Sequence, residues 1–309
     1  MSKELKPVKI GVDGQLFVGN HPPTVMTGNN VKWAGFWDGR FGKGVTYADL
    51  ETYLITGAFG HIGSYIVEEL IKTKNDIQIV CVDNFLLGKK EHLLDALHNK
   101  NFQLYEFDLL DFDALDCLFR EQNFDMVYHL AANSDIRMGI ESTNRDLQLT
   151  FLLTYNVLEC MRKHNVDKIL FTSSPTIFGN HDVPLSEDLP MKPESLYAAS
   201  KLAAEAYIRA FSALYGIQAW LLRLSNMVGE RVTHGILFDF MKKIKNNPKE
   251  LIVLGDGNQE KPYMYVHELI DCMFFVIENS NQKINAFNVG PKDGVKVSGI
   301  AELFLTYFG

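Results

Sequence analysis

The chain has 309 residues, enough for one large or two modest domains with a sizeable buried core. Its formal net charge of −8 argues against nucleic acid or an anionic membrane surface as the main partner. No apolar run approaches the ~20 residues that span a bilayer, and the first residues lack the apolar core of a signal peptide, so a cytoplasmic location is expected. The four cysteines are scattered and no histidines stand at zinc-ligand spacing, so a structural metal is not expected.

Residues 1–50 form an N-terminal extension of unknown role. Residues 8–19 alternate around an Asp13-Gly14 turn, which predicts a β-hairpin. The stretch that follows is rich in glycine and aromatic residues and has neither helical nor strand period. An accessory flap or an oligomer contact is one interpretation of this segment, and a lid over a substrate is the other.

From residue 51 onward, short β-branched runs alternate with longer amphipathic stretches. Strands are predicted at 52–56, 77–83, 102–108, 126–132, 168–174 and 219–225, and helices at 61–73, 112–122 and 145–165. Strands interleaved with helices imply right-handed βαβ crossovers and a parallel sheet covered on both faces. The expected fold class is therefore α/β, with a doubly wound parallel sheet over residues 51–225 and a smaller region at 226–309.

A glycine-rich turn joins the first of these strands to its helix. Gly57, Gly60 and Gly63 permit a tight turn, close approach of the backbone to a pyrophosphate, and close helix–sheet packing. The helix N-terminus then offers free N–H groups and the positive end of its dipole. Asp83 ends the second strand about twenty residues further on, where a carboxylate holds the ribose hydroxyls of a dinucleotide. A 2′-phosphate beside this carboxylate would be repelled, so the sequence predicts a Rossmann-type site for NAD rather than NADP.

Tyr197 and Lys201 lie four residues apart in a predicted helix, so the phenol and the ammonium share one face. Taken alone, this spacing is typical of an ordinary packing pair. An ammonium ~5 Å from the phenol favours the phenolate by about 3 kcal/mol, or ~2 pKa units, at an effective dielectric constant of ~20. A positive nicotinamide ring would lower the pKa further, so Tyr197 is predicted to act as a base near pH ~7–8. Beside a dinucleotide site the pair is interpreted as a general base and its modulator. Ser174 ends a strand on the ligand side of the sheet, where it positions a substrate hydroxyl or caps a turn.

A series of motifs in chain order resembles the extended short-chain dehydrogenase/reductase family, the NAD-dependent nucleotide-sugar epimerases and dehydratases, and within it the UDP-glucose 4-epimerase-like proteins. These motifs are TGAFGHIG, VDNF, DLLD, HLAA, SSPTIFG, YAASK, RLSNMVG and GDGNQEKPYMYVHE, which with their surroundings cover residues 52–309. The resemblance implies that Tyr197 is the catalytic base, Lys201 its modulator and Ser174 the partner of the reacting sugar oxygen. It implies a cofactor site lined by Gly57, Phe59, Gly60, His61, Ile62, Gly63, Asp83, Asn84, Asp108, Leu109, Leu130, Ala131, Ala132, Thr172, Tyr197, Lys201 and Leu224. It also implies a substrate site that contains Ser174, Asn226, Lys261 and Tyr263.

The residues after Ser174 bear on the reaction that the resemblance implies. Dehydratases of the family have carboxyl groups there and decarboxylases a glutamate, whereas this chain has Pro175 and Thr176, which exchange no proton near neutral pH. We therefore expect epimerisation, at C4, of a nucleotide-diphosphate sugar by a homodimer that uses NAD. A net oxidoreductase acting on a nucleotide-linked sugar and a non-catalytic NAD-binding protein are the alternatives.

The resemblance makes residues 226–309 the substrate-binding region, with two departures from the family. Lys261 stands where relatives usually have arginine, which keeps the charge but removes the bidentate fork. After a strand predicted at 286–290, relatives usually continue through elements that supply an arginine and part of a lid. The region is therefore expected to be truncated and open on one side.

Overall fold

The computed structural model describes residues 50–134, 136–180 and 185–308, together with two short strands near the N-terminus. These strands, β1 (Val8–Ile10) and β2 (Leu16–Val18), are antiparallel neighbours. The turn between them lies outside the described residues, as does most of the N-terminal extension. The hairpin and the role of residues 1–50 therefore stay predictions.

A seven-stranded parallel sheet organises the main body of the chain. Its strands are β3 (Glu51–Thr56), β4 (Ile77–Asp83), β5 (Phe102–Glu106), β6 (Met126–His129), β7 (Lys168–Ser173), β8 (Gln218–Leu224) and β12 (Ile284–Val289). They lie in the order β12-β8-β7-β6-β3-β4-β5, so the predicted Rossmann-like α/β sheet is confirmed. The order reverses between β3 and β6, which is where open parallel sheets bind ligands.

Helices follow most strands, as the alternating pattern predicts. The α-helices are α1 (His61–Thr73), α2 (Phe112–Glu121), α3 (Ile136–Glu141), α4 (Thr143–Asp146), α5 (Leu153–Lys163), α6 (Leu196–Tyr215), α7 (Ile236–Asn246), α8 (Val266–Asn279) and α9 (Val297–Phe308). A π-helical segment, Leu147–Leu152, joins α4 to α5, and short 3₁₀ helices span Lys90–Leu93, Ala96–His98 and Pro175–Phe178. In the part of the chain that the structure describes, no helix combines the length and the apolar character that crossing a bilayer requires.

Two apolar layers cover the faces of the sheet. Leu70 of α1 and Met273 of α8 belong to the layer on one face. Leu118 of α2, Val157 of α5 and Ile208 of α6 belong to the layer on the other face. The sheet is therefore covered by helices on both sides, which explains why its central strands are buried runs of branched apolar residues.

Short strands build the substrate side of the chain. β9 (Asn226–Val228) pairs in parallel with β11 (Tyr263–Tyr265), and β10 (Glu260–Lys261) pairs antiparallel with β13 (Val295–Lys296). However, β12 and α8, which also lie after residue 225, complete the main sheet and its covering layer. The two regions predicted to meet at residue 225 therefore share one core, and their division into separate units stays a prediction.

Candidate active site

The carboxyl ends of four parallel strands bring the predicted site residues to one edge of the sheet. Gly57 follows β3, Asp83 ends β4, Leu130 follows β6 and Ser174 follows β7. Because the strand order reverses between β3 and β6, this edge opens into the crevice in which doubly wound sheets hold their ligands.

Glycines shape the loop between β3 and α1. Gly57 has a φ of +66°, and a Cβ on it would lie 2.8 Å from the backbone nitrogen of Ala131. A Cβ on Gly63 would lie 2.3 Å from the carbonyl oxygen of Gly57. Gly60 caps α1 without a side chain, and no acidic residue stands in the first turn. The first N–H groups of α1, starting at His61, therefore remain available to an anion.

Asp83 is buried, and the backbone holds its carboxylate. The N–H groups of Phe59 and Phe85 donate to its two oxygens at 2.9 and 2.8 Å. Burial raises the pKa of the carboxyl, and these two hydrogen bonds oppose that effect. A Cβ on Gly88 would lie 2.9 Å from a carboxylate oxygen, so a glycine is needed there. Sequence reasoning missed Gly88, for which the available signal was a glycine shortly after the strand-ending acid.

Other predicted cofactor residues link neighbouring loops at the same edge. Asn84 Nδ2 donates to Asp108 Oδ2 at 3.0 Å, which connects the segments that follow β4 and β5. Leu109 is buried, and its carbonyl accepts a hydrogen bond from Asn156 Nδ2 of α5 at 2.9 Å. These contacts hold the wall of the crevice next to Asp83.

A buried relay centred on His129, which sequence reasoning left without a role, supports the segment after β6. Thr56 Oγ1 accepts from the N–H groups of Leu130 (3.2 Å) and Ala131 (3.3 Å), so its own proton is directed to His129 Nδ1 at 2.7 Å. The His129 Nε2–H then donates to Thr154 Oγ1 at 3.0 Å. Burial, with a smaller contribution from a lysine charge, lowers the His129 pKa to about 3. The ring is therefore neutral and held in one tautomer.

Helix α6 carries Tyr197 and Lys201 to the end of β7. Ser195 caps the helix by accepting the Ala198 N–H at 3.1 Å. Lys201 is buried, and its Nζ donates to the carbonyl oxygen of Thr172 at 2.6 Å. The helix start and the strand end are thus joined directly, and both predicted catalytic side chains face the crevice edge at which Ser174 lies.

The expected lowering of the Tyr197 pKa by Lys201 is wrong for this structure. Removal of the phenol from water raises the Tyr197 pKa to about 12, an effect that a hydrogen bond with Ser174 opposes and the charge of Asp146 reinforces. Burial also lowers the Lys201 pKa to about 7, although the carboxylates of Glu205 and Asp146 counteract this. A lysine that is partly neutral at pH 7 gives the phenolate less support than a full ammonium.

Ser174 is oriented by the residue two positions after it. The N–H and the hydroxyl of Thr176 both donate to Ser174 Oγ, at 3.3 and 2.9 Å. The Ser174 hydroxyl proton is therefore free to be donated to the Tyr197 oxygen, which agrees with the hydrogen bond that lowers the phenol pKa.

Three of the four predicted substrate residues, all except Ser174, lie on the two small sheets. Asn226 of β9 and Tyr263 of β11 are register partners, and Lys261 precedes Tyr263 by two residues. Asn226 Nδ2 donates to the carbonyl oxygen of Pro262 at 3.1 Å, and both Asn226 and Lys261 are exposed. The structure thus brings Asn226 and Tyr263 together on paired strands, with Lys261 two residues before Tyr263, but Tyr263 itself is half-buried against the apolar cluster that contains Phe240.

The loop before α6 is held by β12. The Asn288 N–H donates to Glu187 Oε1 at 2.7 Å, and Asn288 Nδ2 donates to the carbonyl oxygen of Leu185 at 3.2 Å. Sequence reasoning missed this link, because nothing in the spacing joins residues so far apart in the chain.

Comparisons with known proteins agree with this geometry. The NAD dependent epimerase/dehydratase family profile matches residues 53–290. A Methanocaldococcus jannaschii protein with the provisional name UDP-glucose 4-epimerase is 34% identical over 238 residues, which is 75% of each chain. The UDP-glucose 4-epimerase of Thermotoga maritima, solved with UDP-glucose, superposes with a TM-score of 0.76 at 27% identity over 84% of each chain. The UDP-glucose 4-epimerase of Thermus thermophilus, solved with NAD, gives a TM-score of 0.72 at 27% identity over 82% of each chain. The chain belongs to the NAD-dependent epimerase/dehydratase family, and its cofactor is NAD.

Proposed function

We propose that the protein catalyses NAD-dependent epimerisation, at C4, of a nucleotide-diphosphate sugar through a 4-keto intermediate. The observation that supports this most is the meeting of Ser174, Tyr197 and Lys201 at the carboxyl end of β7, beside the glycine loop. The two positions after Ser174 supply no further group that exchanges protons near neutral pH.

The residues at the edge of the sheet fit NAD. The close approach of Gly57 to Ala131 and the absence of a capping side chain at Gly60 leave the backbone free to meet a pyrophosphate. Asp83 is rigidly held where ribose hydroxyls are expected, with Gly88 alongside. When bound, NAD supplies an acceptor for a hydride that it can return to the sugar.

Tyr197 is the proposed proton acceptor for the sugar hydroxyl at C4. Because burial raises its pKa to about 12, the phenolate needs stabilisation from the groups around it. The Ser174 hydroxyl supplies one hydrogen bond to the phenol oxygen. Lys201 supplies positive charge in the fraction that is protonated, and Glu205, which is paired with Arg223 at 2.9 Å, raises that fraction.

The groups after Ser174 argue against elimination. Removal of water or carbon dioxide from a 4-keto sugar requires a further acid or base close to the reacting carbons. Pro175 has no proton to exchange, and the Thr176 hydroxyl donates to Ser174 Oγ at 2.9 Å. The reaction proposed therefore ends with a sugar of unchanged mass and inverted configuration.

A uridine diphosphate sugar is the first substrate class to test. The Thermotoga maritima relative was solved with UDP-glucose. In this chain Asn226, Lys261 and Tyr263 form the surface proposed to meet the diphosphate, with Lys261 as its cation. The expected homodimer stays a prediction that sedimentation of the purified protein can test.

The test is incubation of the protein and NAD with UDP-glucose, UDP-galactose, UDP-glucuronic acid and UDP-N-acetylglucosamine. We expect one of these to yield a product of identical mass that separates chromatographically from the substrate, with no steady accumulation of NADH. A product lighter by water or carbon dioxide, or continuous NADH formation, contradicts epimerisation and supports elimination or net oxidation.

A further inference from the structure

His61, the first residue of α1, carries a nitrogen that the fold leaves without a partner. Its Nε2 is buried and has no hydrogen-bond acceptor or donor among the described residues. The ring packs edge-on against Tyr65, with 6.0 Å between ring centroids. Buried polar atoms in folded proteins are nearly always hydrogen-bonded, so this nitrogen indicates a partner beyond the described residues, and a bound ligand is one such partner.

Four titratable or charged groups face His61 from other elements. They are His92 of the Lys90–Leu93 3₁₀ helix, and His234, Arg231 and Glu230 of the loop between β9 and α7. The first three lower the His61 pKa, and only Glu230 among these four raises it. The His61 pKa therefore depends on burial and on neighbouring groups of both signs from these two elements.

The loop between β9 and α7 places one carboxylate, Glu230, and one guanidinium, Arg231, near this ring. Both Tyr65 and Tyr265 donate their hydroxyls to the Glu230 carboxylate, at 3.1 and 3.2 Å. Arg231 Nη2 donates to Glu68 at 2.6 Å, whereas Arg231 Nη1 is buried without a partner among the described residues. Glu230 keeps its negative charge, because its hydroxyl partners are neutral. Arg231 Nη1 and His61 Nε2 are the two nitrogens of this group of side chains that have no partner among the described residues.

The anion expected at this end of α1 is the dinucleotide pyrophosphate, because the first N–H groups of the helix point to it. We propose that the His61 imidazole is a further ligand of that pyrophosphate and that it takes up one proton from solvent when NAD binds. The protonated ring then donates from the nitrogen that otherwise lacks a partner. This inference concerns cofactor binding and does not depend on which sugar is the substrate.

The direction of the pH effect follows from the surroundings of the ring. Burial, followed by the neighbouring His234, His92 and Arg231 side chains, lowers the His61 pKa to about 4. One negative charge about 5 Å away raises a pKa by about 2 at an effective dielectric constant of about 20, and a pyrophosphate carries two. The His61 pKa is therefore higher in the NAD complex. Between the two values, each increase of one pH unit weakens NAD binding by about tenfold, whereas above the higher value the affinity is constant.

The experiment is calorimetric titration of the full-length, nucleotide-free protein with NAD from about pH 5 to pH 8. Paired buffers of different ionisation enthalpy give the number of protons taken up. For the wild type we expect uptake approaching about one proton near pH 6, and weaker binding as the pH rises. His61→Phe keeps the ring that packs on Tyr65 but has no nitrogen, so it should lose this uptake and show a flatter affinity profile.

Two further variants complete the test. His267→Phe is the matched control, because His267 is exposed and packs on the same Tyr65 ring at 4.8 Å, and it should retain wild-type proton uptake. His61→Gln offers a polar group that does not titrate, and it provides the same readout if the phenylalanine variant folds poorly. The proposal is overturned if a folded His61 variant takes up as many protons on NAD binding as the wild type does. It is also overturned if His267→Phe loses as much proton uptake as the His61 variants do.

Discussion

The cofactor half and the substrate half of the candidate site are built differently. In the cofactor half, Asp83 and His129 are buried, and each is held by hydrogen bonds that come from other strands or loops. In the substrate half, Asn226 and Lys261 are exposed on strands of two or three residues. The position of the cofactor is therefore determined by the backbone of the whole sheet. In the function proposed above, recognition of the substrate rests on a few exposed side chains that can change without disturbing the core.

The largest effect is expected at Tyr197, where the two halves meet. Tyr197→Phe removes the proposed proton acceptor, so turnover should fall by ~10²-fold or more, while NAD affinity and thermal stability stay close to those of the wild type. Steady-state kinetics and NAD titration measure the two properties separately. Tyr207→Phe, at an exposed tyrosine of the same helix, is the control and should keep full turnover. If Tyr197→Phe keeps near wild-type turnover, Tyr197 is a packing residue and not the proton acceptor.

A smaller effect is expected at His129, in the buried framework of the cofactor half, where the stability of the fold should depend on pH. The His129 pKa is about 3 in the folded protein and ordinary, near ~6.5, in the unfolded chain. Between these values the unfolded chain binds the extra proton, so stability present above pH ~6.5 is lost as the pH falls. The contribution of His129 to the free energy of unfolding falls by about 2 kcal/mol from pH 7 to pH 5.

Urea unfolding at pH 7 and pH 5 measures this loss. His129→Asn should be less stable than the wild type at pH 7, because Thr56 and Thr154 lose their partner, yet it should lose less stability between the two pH values. His98→Asn changes an exposed histidine and should show the wild-type difference. Equal losses in the wild type and His129→Asn would contradict the buried neutral ring.

The smallest effect is expected in the substrate half. Lys261→Ala removes one exposed charge, and exposed ion pairs contribute about 0.2–1 kcal/mol, so KM for the nucleotide sugar should rise by no more than about fivefold with kcat unchanged. Lys261→Arg restores the charge and adds a bidentate fork, so its KM should equal or fall below that of the wild type. A kcat that falls with KM constant would place Lys261 in the chemical step and break the contrast between the halves.

Much of the cofactor half was predictable, because its signals are local in sequence. The predicted helix at 61–73 and the predicted strand at 77–83 match α1 and β4 residue for residue. Glycine spacing and a strand-ending acid identify Gly57 and Asp83, since both follow from the course of the backbone. By contrast, the helix predicted at 145–165 contains the π-helical turn, and no periodicity indicates it.

The remaining features of the candidate site depend on contacts between residues that are far apart in the sequence. Spacing placed Tyr197 and Lys201 on one face, but the pKa of the phenol depends on its removal from water and on Asp146, which lies on another helix. The role of His129 needs Thr56 and Thr154 from two other elements. A single sequence does not show which of its distant segments become neighbours, so these relationships emerge only from the fold.

Among the strands of the main sheet, β12 is the last to be synthesised, and this order affects how the nascent chain folds. β12 closes one edge of the sheet, and its Asn288 secures Glu187 in the loop that leads to the catalytic helix. During synthesis the ribosome therefore produces more than 280 residues before that edge and that loop can settle. Until α8 is made, the part of α1 that packs against α8 stays exposed, and exposed apolar surface on an incomplete chain favours aggregation. A fragment that stops near residue 225 is accordingly a poor stand-alone NAD module, despite carrying the glycine loop and the Tyr197–Lys201 pair.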